Sequence, residues 1–250
     1  MPKPLPKRLR KEPIIDAGCE LRVQATVDLH TVMPGLLFSR LPNVGNIEQL
    51  PAQSIPEPLR AADPSLVSVP LVKVDWGRYL LLVGARNISV TPKLPYPGWE
   101  TFRQDILQVF RLVLENSFVL GVERYSIKYV NLIEIDDLAG QFDALDWAVR
   151  IGPLQLSDQR TQLKTEISSG EFITIVQLIT SASVRMTSTN VEKHGCVVDV
   201  DTVCSHATRD IAAFRTELED RLRSIRLQNK IVFFDCLKDS TIDALEPEYE

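Results

Sequence analysis

The sequence predicts an α+β fold of two fused halves, each an antiparallel sheet packed by one long helix. Three observations lead there. Runs rich in Val, Ile, Leu and Tyr alternate with polar residues, the period of a half-buried strand. Two stretches, beginning near Trp99 and near residue 207, instead repeat apolar residues at three- and four-residue steps, the period of an amphipathic helix. The order of strands followed by a helix occurs twice, which divides the chain into 13–140 and 141–250 after a basic segment 1–12. The halves read as related, although they share too little sequence to establish a repeat.

In chain order, "MPKPLPKRLRKE" (1–12) carries five Lys/Arg and no apolar periodicity, so a flexible, solvated arm is expected there. "PIIDAGCELRVQATV" (13–27) reads as a strand. Prolines at 34, 42, 51, 56, 58, 64 and 70 remove donors and restrict their predecessors. Only short helical turns are therefore expected in that segment, around "NIEQL" and "PEPLRAAD". "LVSVPLVKVDW" and "RYLLLVGARNISVTP" form a hairpin closed at Asp75-Trp76-Gly77, with Gly84 marking a bulge or a close backbone approach.

"YPGW" (96–99) reads as a corner: Pro97 fixes one φ, Gly98 permits a sharp turn, and Tyr96 and Trp99 can bury their rings. The helix that follows presents Phe102, Ile106, Val109, Phe110, Val113 and Phe118 on one face and is expected to close at Gly121. "ERYSIKYVNLIEI" returns as a strand, and Glu134, Asp136 and Asp137 begin a turn. "DWAVRIG", "RTQLKTEI", "EFITIVQLITSASV" and "GCVVDVDTV" are the strands of the second half. Its long helix has Ile211, Phe214, Leu218, Leu222 and Ile225 as the apolar seam, and Asp239 or Ser240 starts a last short helix.

At 250 residues and 44% hydrophobic, the chain can bury a core without disulfides or metals. Its net charge of -5 argues against a general nucleic-acid binder, which needs surplus cations to neutralise phosphates. Cys19, Cys196, Cys204 and Cys236 lack the dense spacing of a secreted scaffold and read as reduced thiols. No apolar run has the length of a membrane-spanning helix, so a cytoplasmic location is expected.

Few residues look like chemistry. His194, Cys196, Cys204 and His206 are possible metal ligands, but a continuous strand would hold the two thiols about 26 Å apart, far beyond one ion's reach. Asp199 and Asp201 share a strand face and are weak metal or acid/base candidates without a third ligand. His30, His194 and His206 are the only possible histidine bases. Nucleophile elbows, dinucleotide fingerprints, phosphate loops and zinc-protease motifs are missing, so no catalytic residue and no cofactor is assigned.

Arg124, Ser126, Lys128 and Val130 share one face of their strand, opposite Tyr125, Ile127, Tyr129 and Asn131. Arg124, Lys128 and Tyr129 are candidate partner-binding residues, since Arg and Tyr suit interface anchors. Lys7, Arg8 and Arg10 are added as an electrostatic handle for an acidic partner.

Several segments together resemble a family of uncharacterised prokaryotic proteins of about this length, with broad but sporadic distribution. They are "PLPKRLRKEPIIDAGCELR", "MPGLLFSRL", "EQLPAQSIPEPLRAADPSL", "GARNISV", "YPGWETF", "VERYSIKYVN" and "VVDVD", in that order along nearly the whole chain. Gly18-Cys19 replace bulkier apolar residues of that family, so the first strand is expected to pack differently. The resemblance implies no activity, cofactor or catalytic residue. Sporadic distribution is compatible with a place in a defence operon, of CRISPR-associated or toxin–antitoxin type. The expectation is a non-catalytic accessory protein that docks on a protein encoded nearby through a sheet face, the proline-rich loop (34–70) or the basic arm. The alternatives are an enzyme or small-ligand binder, with Asp199, Asp201, Arg124 or His206 at the mouth of a pocket between sheet and helices, and nucleic-acid binding through the arm.

Overall fold

The computed structural model describes residues 5–186, 191–205 and 207–249. Its elements, in order, are β1 (Arg8–Leu9), β2 (Ile14–Ala25), α1 (Leu29–Arg40), β3 (Val44–Gln49), a 3-10 turn (Pro51–Ser54), α2 (Glu57–Ala62), β4 (Val72–Trp76), β5 (Tyr79–Val83), β6 (Asn87–Pro92) and α3 (Trp99–Leu114). After them come β7 (Val119–Glu134), α4 (Leu138–Ala144), β8 (Arg150–Ile151), β9 (Leu154–Gln155), β10 (Gln162–Ser169), β11 (Phe172–Met186), β12 (Val191–Cys204), α5 (Ile211–Asp235), α6 (Asp239–Ala244) and β13 (Pro247–Glu248). The class is α+β, as the alternation predicts. No helix among the described residues is long and apolar enough to cross a membrane.

Two compact units exist, but neither is contiguous. The first comprises Met1–Asp16, Lys128–Thr202 and Ile225–Glu250; the second comprises Ala17–Ile127 and Val203–Ser224. The expected single division near residue 140 is therefore replaced by four crossings, each inside a long strand or helix. No pseudo-repeat is evident from this arrangement.

In the second unit the strand order is β7-β2-β6-β5-β4-β3. β2 pairs antiparallel with β6, and β4 with β5 around a turn at Gly77, whose φ of 53° lies in the region that favours glycine. Ala17, Cys19, Leu21 and Val23 of β2 are buried on one face, and α1 and α3 pack on the β4–β6 strands. The seam of α3 buries Phe102, Ile106, Val109, Phe110 and Val113 completely. Each such side chain contributes roughly 1.5–3 kcal/mol over exposure to water.

The corner before α3 is an aromatic cluster. Gly98 caps the helix at φ 85°, and the rings of Tyr96 and Trp99 meet Phe102 edge-on at 5.9 and 6.5 Å. Tyr79 stacks on Phe102 from the sheet at 6.0 Å. The second helix boundary differs from expectation: α3 ends at Leu114, and Gly121 lies within β7, where an added Cβ would meet Thr208 O at 2.8 Å.

Three other expectations of the second unit are corrected. "LHTVMPGLLFSR" is a full helix despite Pro34, because Leu29, Met33 and Leu37 recur at four-residue steps and are fully buried. "NIEQ" belongs to edge strand β3, not to a helical turn, and pairs with β4. "RYLLLVGARNISV" is two strands, turned at Gly84-Ala85-Arg86. The close approach expected at Gly84 is present, since a Cβ there would lie 2.2 Å from Asn87 Oδ1 and 3.0 Å from Val69 O.

In the first unit the order is β10-β11-β12-β7, with β10 and β11 an antiparallel hairpin. Its core gathers Ile133, Val176, Leu178, Val198, Val200 and the end of α5, Val232, Phe233 and Phe234. A buried polar thread runs through it: Asn229 donates to Val200 O at 2.9 Å and to the Thr202 hydroxyl at 3.2 Å, which in turn meets the Thr174 hydroxyl at 3.2 Å. Satisfied in this way, these buried groups favour one register of β11 and β12 over a slipped one. The acidic turn after β7 is also an N-cap, because Asp137 Oδ1 accepts from Gly140 N at 2.7 Å and starts α4. Of "DWAVRIG" only Arg150–Ile151 is strand.

Candidate functional site

The basic segment 1–12 is not an unattached arm over the residues described. β1 pairs with β13 in the register Arg8↔Glu248 and Leu9↔Pro247, and Leu9 is buried. The charges explain the clasp: the Glu248 carboxylate takes both the Arg8 and Arg10 side chains, the latter at 2.7 Å, and Lys11 meets Glu246 at 3.0 Å. Hydrogen bonds from Arg8 and Arg10 hold the Glu248 carboxyl well below the usual range, at about 2. Lys7 contributes its backbone N–H to Glu248 O. Arg8 and Arg10 are thus neutralised within the chain.

That clasp carries a pH prediction. A depressed carboxyl pKa adds stability that is present above the ordinary value near 4.5 and disappears as pH falls towards 2. Amide exchange at Leu9 and Arg10, corrected for its intrinsic pH dependence, is expected to accelerate over that window. Glu248→Gln should show the faster exchange already at neutral pH. Equal protection in both proteins at pH 7 would mean that the backbone pairing alone holds the segment.

The strand-face candidates separate. In the second unit Arg124 donates to Glu20 Oε1 at 3.1 Å, Arg22 to the same oxygen at 3.3 Å, and Asn87 to Glu20 Oε2 at 3.0 Å. In the first unit Lys128 pairs with Asp199 at 2.9 Å. Both cations therefore serve carboxylates of neighbouring strands. Tyr129 is corrected as an interface anchor: it is buried, with the Arg226 guanidinium 4.2 Å over its ring.

The metal candidates do not assemble either. Cys196 and Cys204 stand on one continuous strand, β12, and both are buried, Cys196 with its thiol pushed up to about 11 by burial. Among the described residues no group of three His, Cys, Asp or Glu is placed to hold an ion. Asp201 is partly buried on the same strand, and His206 lies outside the described residues. His30 begins α1, with burial pulling its pKa down against the opposing charge of Asp28.

What sequence reasoning missed is a cleft in the second unit between the end of α1, the outer stripe of α3 and the start of α5. Its cavity of about 610 Å³ is lined by Arg40, Leu41, Arg103, Leu107, Arg111 and Glu219, with Gln104 and Gln108. Helical spacing puts Gln104, Gln108, Arg111 and Glu115 on one stripe of α3, away from the Phe102–Ile106–Phe110 seam. Arg103, only 7% exposed, bonds Glu100 at 2.7 Å and also Glu219. Arg215 pairs with Glu115 at 3.4 Å, and Arg223 with Glu219 at 2.8 Å. The hydrogen bond from Arg223 is the main reason that Glu219 titrates low.

Arg40 and Arg111 differ from these. Both are exposed at the cleft, and neither has an ion-pair partner among the described residues. A smaller hollow beside it again includes Arg111, with Arg215 and Thr216. The arrangement offers two unneutralised guanidinium groups and two amides over leucines. Such a set recognises carboxylates, bidentately from each arginine. The signal was present in the sequence only as polar residues on the back of a predicted helix, which ordinarily face water.

No protein-family model matches the chain, and no curated protein matches it. Among solved structures it is similar to Methanococcus jannaschii TBP at 10% identity and a TM-score of 0.23, over 87% of this chain and 99% of that one. A likeness at that score carries no argument.

Proposed function

We propose that this chain is a non-catalytic interaction protein that captures an acidic segment of a partner protein in the cleft of α1, α3 and α5. One observation carries the reading: Arg40 and Arg111 stand unneutralised at a single cavity, whereas Arg8, Arg10, Arg124 and Lys128 are all matched by carboxylates within the chain. In a chain with net charge -5, two unmatched arginines at one cleft favour an anionic occupant. The leucines beneath them favour a peptide with apolar side chains over a bare anion. An accessory or regulatory role follows, and proteins of a surrounding defence operon are the first partners to try. Nucleic-acid binding through residues 1–12 draws no support from arginines already bound to Glu248.

The test uses purified pairs of this protein and each product of the neighbouring genes. For the true partner, Arg40→Glu and Arg111→Glu should each weaken binding by about tenfold or more, and added salt should weaken the wild-type complex. Arg8→Glu in the clasp should leave the affinity unchanged. A complex indifferent to both cleft reversals would overturn the proposal.

A further inference from the structure

The first unit holds a second cavity, of about 610 Å³, that the peptide cleft does not involve. It is walled by separate stretches of chain: Pro13 from the N-terminal segment, Leu132 and Ile133 from β7, Ala144 from α4, and Ala244 and Leu245 at α6. Its size lies within the roughly 300–1,000 Å³ of small-molecule sites. Apolar walls with a few polar groups at the edge are the usual build of such sites.

The edge is acidic. Glu12, Glu134 and Asp143 line it against one cation, Lys11. Three of these four are already engaged: Lys11 with Glu246 at 3.0 Å, Glu134 with Lys193 at 2.6 Å, and Asp143 with Lys238 at 3.2 Å. Glu12 has no ion pair among the described residues. Glu12 is exposed at the rim; partial loss of solvation nudges its pKa up, and the charge of Arg226 acts against this. An unpaired carboxylate at an acidic cavity rim attracts a cationic group and repels an anionic one. An anionic ligand would meet the opposite situation, since the single lysine is taken.

We infer that this cavity is a binding site for an organic amine: an aryl or alkyl body among Pro13, Leu132, Ala144 and Leu245, with its ammonium group at Glu12. Thr241 also lines the cavity, with its hydroxyl donating to Ala144 O at 2.8 Å. The site is made only of first-unit residues, so it stands or falls apart from the peptide cleft.

The experiment is titration of the intact protein with phenethylamine, and with 3-phenylpropionate and 3-phenylpropanol as acidic and neutral counterparts. It is read by calorimetry and by the methyl signals of Ala144 and Ala244. The amine is expected to saturate below ~10 mM and to bind at least about tenfold more tightly than the acid. Glu12→Gln should remove that preference while leaving the alcohol's affinity unchanged. Ala244→Leu, which narrows the cavity without altering charge, should weaken amine and alcohol alike, with a melting curve confirming the fold. Equal or tighter binding of the acid, no saturation, or amine binding insensitive to both substitutions would overturn the inference.

Discussion

Gly195→Ala is expected to be among the most damaging single changes in the chain, costing about 4 kcal/mol or more. Gly195 lies in β12 where that strand crosses close to the end of β7. A Cβ there would sit 2.0 Å from Ile133 O, 2.9 Å from Ile133 C and 3.1 Å from Glu134 Cα. All three are backbone atoms, so no side-chain rotation relieves the overlap and the strands must part. Ile133 and Cys196, immediately beside the contact, belong to the first unit's core and would be drawn out with them. Gly35 is the internal contrast: it is in α1, and a Cβ there meets nothing within 4 Å. Gly35→Ala should be neutral or stabilise by about 0.5–1 kcal/mol through helix propensity. Urea denaturation of the two variants measures both effects, and comparable midpoints would refute the steric argument.

Phe102→Ala should destabilise the second unit by about 3–5 kcal/mol. The ring is fully buried and is touched by Tyr79, Tyr96 and Trp99, so its removal leaves a cavity whose walls are large, rigid rings tied to the sheet and to the Gly98 turn. Such walls cannot collapse inward easily, which places the cost towards the upper end of the range. Trp99→Ala should cost clearly less, because Trp99 is only half-buried. Thermal melts followed by near-ultraviolet circular dichroism distinguish the two. A larger loss for Trp99→Ala would mean that the corner, not the ring beneath it, holds the helix in place.

Where the fold was legible in the sequence, local pattern and tertiary need agreed. The α3 seam and the inward Tyr125, Ile127 and Tyr129 of β7 are visible at short range and are buried as their periods require, and the expected hairpin turn is found at Gly77-Arg78, immediately after Trp76 ends β4. Helix α1 was hidden because Pro34 weighs against a helix locally, while the burial of Leu29, Met33 and Leu37 outweighs that loss. The clasp of β1 with β13 was hidden for another reason: Arg8 and Glu248 are 240 residues apart, and no local period connects them. Gly195 carries no special φ and no turn neighbours, so only the passage of β7 beside it discloses why a side chain is excluded. The two cavities were equally illegible, since each gathers residues from distant segments. Single residues such as Arg124 looked available because their carboxylate partners stand on strands far off in sequence.

The interleaving of the two units bears on how the chain can be made. The second unit needs residues up to Ser224, and the first needs the segment from Ile225 onwards. During synthesis neither can therefore close early and wait for the other; some 200 residues must emerge before either is complete. Hydrophobic strands such as β4 to β6 are born long before Val203–Ser224 arrive, an interval in which a chaperone has something to hold. For the same reason a nonsense change late in the gene, or a fragment trimmed to one unit by a single cut, should give an insoluble product and not half a protein.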